Sequence, residues 1–257
     1  MPENSIPAFL LATEIGVTTL ELDLSVSKDR KLVVSHEPYF SPSFCLDSNG
    51  IQIPDDSIIN IYSLVYDEIE KFDCGTKQNS RFPNQQSIKV SKPLLKDVID
   101  TVENYTVENK LDPVFYNIEL KTQLQTDDVF HPTPQIFSDL VFKAIEMKGI
   151  MKRVIIQSFD FRTLQYFNQK YPEIKLALLI ENDLSWRSNI DSLGFTPDVY
   201  SCYYELLSRE RIKEIQEAGM QVIPWTVNET SDMKELFEWK IDGIISDYPD
   251  RALELIK

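Results

Sequence analysis

Two acids stand two positions apart in Leu20-Glu21-Leu22-Asp23-Leu24, where apolar and acidic residues alternate. Alternation of this kind marks a strand, so both carboxylates point to one face and the three leucines to the other. Val114-Phe115-Tyr116-Asn117-Ile118-Glu119-Leu120-Lys121 repeats the arrangement, with Glu119 and Lys121 sharing a face at the strand's C-terminal end. Three carboxylates on strand ends make an oxygen-rich set suited to one divalent cation, Mg2+ or Ca2+, rather than zinc. His36, which ends Val33-Val34-Ser35-His36, is of the type that moves protons at neutral pH. Taken singly, these segments also read as a solvated acidic face, a strand-end ion pair and a structural histidine.

A barrel favours the chemical reading, because acids on an inward strand face are buried and require a cation. Other candidates have ordinary alternatives. Asp160 or Ser158, in Gln157-Ser158-Phe159-Asp160, suits a helix cap, and His131, in His131-Pro132-Thr133-Pro134, reads as a surface-loop residue without a role. Pro224 marks a bulge or rim, so that Trp225 beside it faces either a pocket or the core. Asp247 is either a rim residue or the cap of a last helix.

The elements that must hold these residues can be read from periodicity. Asn4 is placed to cap a helix that Gly16 closes, with Pro7 in the first turn. Strands over 18–26 and 31–36 are joined by only Ser27-Lys28-Asp29-Arg30, too short for a crossover, so they form a hairpin with Asp23 and His36 at its open end. From 37 to about 92 the pattern breaks into an insertion rich in proline and polar residues. Helix and strand then alternate: helices near 94–109, 133–148, 160–170, 184–193, 206–218 and 230–239 are interleaved with strands over 114–121, 153–159, 175–180, 199–204, 221–227 and 243–246, and a short terminal helix follows. Such alternation implies a parallel sheet. Counting the hairpin once gives seven strands, from which the expected fold is α/β, a TIM-type (β/α)8 barrel lacking its first strand, with the insertion after the hairpin.

Composition removes other classes. The 7 glycines of this 257-residue chain are never closer than 24 positions, so no glycine-rich phosphate or dinucleotide loop exists. The 2 histidines and 3 cysteines include no C-x-x-C pair or zincin motif. Lys+Arg 26 against Asp+Glu 41 gives a net charge of −15, which argues against a nucleic-acid partner. No apolar run reaches the roughly 18 residues of a membrane span, and the N-terminus lacks the basic start and apolar run of a signal peptide. The compartment stays open, export or a periplasmic home of a longer parent included. Cys45 and Cys74 either staple the insertion or are two unrelated thiols, and Cys202 on a strand is expected to be buried and apolar.

Seven segments in order, Pro2-Glu3-Asn4-Ser5, Glu21-Leu22-Asp23, Lys28-Asp29 before Val33-Val34-Ser35-His36, Ile118-Glu119-Leu120-Lys121, Gln157-Ser158-Phe159-Asp160, Trp225-Thr226-Val227 and Asp242-Gly243-Ile244-Ile245-Ser246-Asp247-Tyr248-Pro249, resemble the glycerophosphodiester phosphodiesterase family over essentially the whole chain. The resemblance implies a metal-dependent barrel that hydrolyses glycerophosphodiesters to glycerol 3-phosphate and an alcohol in glycerophospholipid metabolism. Its small-molecule substrate would meet Glu21, Asp23 and Glu119 as ligands of the divalent cation. His36 would be one of two catalytic histidines, Lys121 a catalytic cation near the phosphate, and Trp225 a wall against the glycerol. The insertion would lie over the mouth.

The family's opening His-Arg-Gly strand precedes the Pro-Glu-Asn segment, and this chain begins at Met1-Pro2. The expectation is therefore a domain over 1–257 that is incomplete at its N-terminus, lacks the other histidine and an arginine, and has impaired activity. A non-catalytic member that binds phosphodiesters or a partner is the alternative. A barrel glycosidase would need one acid without metal and an aromatic-lined cleft.

Overall fold

The computed structural model describes residues 1–256 and divides into two compact units, Met1–Arg153 and Val154 onward. The first runs α1 (Ile6–Ile15), β1 (Thr19–Val26), β2 (Leu32–Val34), β3 (Tyr39–Phe40), β4 (Ile59–Asn60), α2 (Tyr66–Ile69), α3 (Leu95–Asn109), β5 (Phe115–Leu120) and α4 (Pro134–Met147). Ser5, not Asn4, caps α1, its hydroxyl accepting from the Ala8 N–H at 3.4 Å. Asn4 instead takes a left-handed backbone, φ +50°, and its side chain is used elsewhere. Gly16 closes the helix at φ +93°, where a side chain would be strained.

β1 and β2 form the hairpin, with Leu24 opposite Val34 and Val26 opposite Leu32. β1 also pairs with β5 in parallel, and the register sets Asp23 beside Glu119 and Glu21 beside Asn117. Leu20, Leu22 and Leu24 are all buried, each leucine contributing on the order of 1.5–3 kcal/mol. Asp23 and Ser25 on the opposite face are buried as well, so β1 is covered on both sides, as parallel-sheet strands are.

Residues 37–92 carry structure of their own. β3 and β4 pair antiparallel, Cys45 and Cys74 are joined by a disulfide, and Phe40 stacks on Phe72 with ring centroids 3.8 Å apart. Their apolar cluster, which includes Ile53, Ile61 and Ile69, extends to Val33 of β2 and to Leu94 just before α3, and so seats the insertion on the hairpin.

The second unit runs β6 (Val154–Ser158), α5 (Phe161–Lys170), β7 (Lys175–Ile180), α6 (Trp186–Leu193), β8 (Val199–Cys202), α7 (Arg209–Glu217), β9 (Gln221–Val222), α8 (Thr230–Glu238) and α9 (Pro249–Leu255). β6 to β9 pair in parallel in chain order. Asp160 caps α5, accepting from the Arg162 N–H at 3.0 Å.

Three expectations are corrected in this unit. The strand expected over 199–204 stops at Cys202 and turns into a single 3-10 turn, Tyr204–Leu206. The one expected over 221–227 is regular strand only at Gln221 and Val222, although the Ile223 and Trp225 N–H groups still donate to the Tyr200 and Cys202 carbonyls of β8; Pro224 faces the 243–246 segment and has no N–H to give it. The strand expected over 243–246 is not formed; the Ile245 N–H donates to the Pro224 carbonyl and the Asp242 N–H to the Val222 carbonyl, without a ladder. Asp247 caps no helix. It accepts from the Asn228 side chain at 2.8 Å. Cys202 is buried, and burial pushes its thiol up to about 12. Among the described residues no helix is long and apolar enough to cross a membrane.

Candidate active site

Glu21, Asp23 and Glu119 each offer a carboxylate oxygen within 4.8 Å of the others. β1 supplies the first two by strand alternation, and the β1–β5 register brings in the third. Asp23 and Glu119 are 3% and 6% exposed. Lys121, one residue beyond β5, sets its Nζ 3.1 Å from Asp23 Oδ1 and 3.1 Å from Glu119 Oε2. Asn4 completes the Asp23 shell: its Nδ2 donates to Asp23 Oδ2 at 2.8 Å, and the Asp23 N–H donates to Asn4 Oδ1 at 3.2 Å. The left-handed backbone of Asn4 thus serves a site residue and not the helix cap.

Charge is poorly balanced here. Burial raises the Glu119 carboxyl, and the neighbouring Asp23 raises it further. Burial also works against an ionised Asp23, but Lys121, His36 and the Asn4 amide outweigh it and hold that carboxyl low. For Lys121, burial is overcome by the two carboxylates, which hold the ammonium on. For all three carboxylates to ionise beside one ammonium, two further positive charges are needed, the charge of one divalent cation; without them Glu119 holds its proton more tightly. Oxygen donors at this spacing, two of them withdrawn from water, fit such an ion.

His36 follows β2, and the Ser35 N–H donates to the Asp23 carbonyl at 2.9 Å, which ties the histidine's strand end to the carboxylate cluster. Its Nδ1 donates to Glu37 Oε1 at 2.9 Å, leaving Nε2 for other chemistry. The Glu37 hydrogen bond raises the imidazole above its ordinary value, burial opposes, and Asp23 adds to the rise. Glu37 is held low, chiefly by the same hydrogen bond.

The other two aromatic candidates lie apart from this cluster in role. His131 is 3% exposed and not a surface residue. Its Nδ1 donates to the Pro132 carbonyl at 2.8 Å, and its Nε2 accepts from the Gln123 N–H at 3.0 Å, so it braces the loop after β5. In the second unit, the Trp225 indole donates to the Ser201 carbonyl at 3.0 Å. Its ring meets Phe159 edge-on at 5.4 Å and Tyr203 at 6.0 Å, forming a partly exposed aromatic group at strand ends.

Residues 1–251 match the family model described as the glycerophosphoryl diester phosphodiesterase family. The chain belongs to that family. By that membership it is a phosphodiesterase. A glycerophosphodiester phosphodiesterase of Caldanaerobacter subterraneus subsp. tengcongensis is 27% identical over 259 residues, spanning 100% of this chain and 93% of its own. A solved structure from Silicibacter pomeroyi has a TM-score of 0.88 at 23% identity and covers 100% of this chain and 88% of its own. An Oleispira antarctica phosphodiesterase, solved in complex with the product sn-glycerol-3-phosphate, has a TM-score of 0.77 at 20% identity, covering 99% of this chain and 91% of its own. These likenesses show the TIM-type barrel fold of the phosphodiesterase.

Three residues of the phosphodiesterase's site went unassigned or misassigned in the sequence. From the sequence Asn4 reads as a helix cap, whereas its amide serves Asp23. Glu37 adjoins His36, which is the only sequence signal for it. Lys92 gave no signal, since a lysine before Pro93 at a helix start reads as solvated, yet it is 7% exposed and donates to Ser35 Oγ at 2.6 Å.

Proposed function

We propose that this phosphodiesterase hydrolyses glycerophosphodiesters to glycerol 3-phosphate and an alcohol, with one divalent cation, Mg2+ or Ca2+, held by Glu21, Asp23 and Glu119. The observation that carries the reading is the convergence of those three carboxylates, two of which, Asp23 and Glu119, also hold Lys121. The product named for the Oleispira antarctica neighbour supports the substrate class.

When bound, the cation would supply positive charge to a non-bridging phosphate oxygen. The chain's own groups do the rest. Lys121 adds an ammonium whose charge the carboxylates maintain, and charge developing on phosphate oxygens in the transition state is what such a group stabilises. Asn4 fixes Asp23 from both its oxygen and its backbone N–H, so the ligand set is oriented before substrate arrives. His36, with Nδ1 committed to Glu37 and its proton affinity raised, presents Nε2–H as a general acid to the leaving alkoxide. The bond from phosphorus to the alcohol oxygen breaks, one to a water oxygen forms, and the water's proton replaces the one His36 has given. Trp225 is assigned to the wall against the glycerol, supported by its place in a partly exposed aromatic group. The disulfide supports an oxidising compartment for the protein.

The test is release of glycerol 3-phosphate from glycerophosphocholine and glycerophosphoethanolamine, with chelator and with Mg2+ or Ca2+ restored. Turnover should vanish on chelation and return with either ion, and E119Q should lower it by roughly 10²–10³. Turnover indifferent to chelation would refute the metal assignment. Binding of glycerophosphodiester without turnover, in the presence of both ions, would establish the non-catalytic reading instead.

A further inference from the structure

Lys92 sits where stability alone would place an apolar residue. It lines a small cleft with Val34, His36, Phe44 and Val90, and its ammonium lies 5.5 Å from the centre of the Phe40 ring. It makes one hydrogen bond, to a neutral hydroxyl, Ser35 Oγ. A buried ammonium so partnered is costly, and cores generally carry such a group where function needs it. Burial accordingly pulls its proton affinity down to about 8, with Glu3, Glu37 and Asp23 offsetting part of the effect.

Ser35 is the node that gives Lys92 its reach. The Ser35 hydroxyl accepts from Lys92 and donates to the Glu37 carbonyl at 2.5 Å, while the Ser35 N–H donates to the Asp23 carbonyl at 2.9 Å. Both residues flanking His36 are therefore tied down, one by way of the lysine. The segment that delivers Lys92 is itself held on two sides: the Cys74 N–H donates to the Val90 carbonyl, and the Val34 N–H donates to the Pro93 carbonyl, each at 2.8 Å. Glycine is required at the neighbouring Gly75, where a Cβ would fall 2.2 Å from the Ile88 carbonyl oxygen and 2.6 Å from Val90 Cγ2.

We infer that Lys92 is a positioning residue for His36, locking the Ser35–Glu37 turn from inside the disulfide-bonded insertion so that Nε2 is aimed at the substrate. This rests on the general-acid reading of His36 given above. It makes the insertion a working part of the catalytic centre.

The experiment compares wild type with K92M, S35A, the K92M/S35A double variant and H36Q, each in metal-loaded glycerophosphocholine hydrolysis and in imidazole NMR. With 2 histidines in the chain, the His36 signals are read against those of the loop-bracing His131. K92M should keep or raise Tm, because an apolar chain replaces a buried charge, while kcat falls roughly 10- to 100-fold and KM changes by no more than about twofold. S35A should fall in kcat likewise. The double variant should be no worse than K92M by more than about twofold, since both act through one chain of bonds. His36 resonances should move in K92M and S35A while those of His131 stay.

Full kcat in S35A or K92M, with H36Q inactive, would overturn the inference, as would effects that multiply in the double variant or unmoved His36 resonances. If K92M does not fold, S35A and its His36 signals decide alone. A fully active H36Q would overturn the general-acid reading itself, which is a different result.

Discussion

Glu37 controls the proton on His36 through one short contact, and the consequences have a definite sign. The imidazole is raised and the carboxyl lowered by their shared hydrogen bond. For the raised histidine, the stabilising contribution is complete below the unfolded value, about 6.5, and is lost as pH climbs through the folded one. For the lowered carboxyl it is complete above about 4.5 and lost as pH falls through its folded value. The pair is thus strongest between those limits. E37Q should move the His36 NMR titration down toward 6.5 and carry the alkaline limb of kcat/KM with it; a midpoint that stays put would show that Glu37 does not set it. Lys92 has the opposite sense. Its folded value near 8 against 10.5 opposes folding below pH 8, on the order of 3 kcal/mol, and the penalty fades as pH rises to about 10.5. The stability advantage expected of K92M at pH 7 should therefore shrink in urea melts at pH 10.

The elements that hold the site were legible where a period repeats. Leucine alternation announced β1, its short connector required β2 to pair antiparallel, and together these put Asp23 and His36 at one end. The residues that orient the site were not legible, because each acts through a contact with no period. Asn4 looks like a cap until its left-handed backbone turns it to Asp23, and Lys92 looks solvated until the insertion buries it. Likewise the proline in Ile223-Pro224-Trp225 marked an interruption, but not that bonds to β8 would persist past it while the side facing 243–246 formed no ladder. The Cys45–Cys74 pairing could not be decided from a spacing of 29 positions alone, since only folding brings the two together. Breaking it in a C45S/C74S variant should cost about 3 kcal/mol, felt first in the insertion. Amide exchange should accelerate over 37–92 and leave β6 to β8 unchanged, while kcat drops as the seat of Lys92 loosens. Uniform acceleration across the chain would show that the disulfide supports the fold generally and not the insertion.

Across the whole molecule, 26 basic residues against 41 acidic ones mean that cations should stabilise it even without a specific site, by screening self-repulsion. A specific site adds something screening cannot. Glu21, Asp23 and Glu119 gather charge in a place two of them reach only by burial, so an ion there binds the folded chain and has nothing equivalent in the unfolded one. At an ion concentration about 100 times Kd the gain is about 2.7 kcal/mol, which for a domain of this size corresponds to a rise in Tm of roughly 5–10 °C. Calorimetry with Mg2+ or Ca2+, against KCl at matched ionic strength, separates the two effects. The divalent increment should appear in wild type and disappear in D23N and E119Q, while the KCl increment remains in all three. Because the ligands lie in the unit Met1–Arg153, any transition that resolves separately for the second unit should not move with the ion. An equal divalent increment in wild type and D23N would show that the carboxylate cluster holds no ion, and the charge argument made for it would fail.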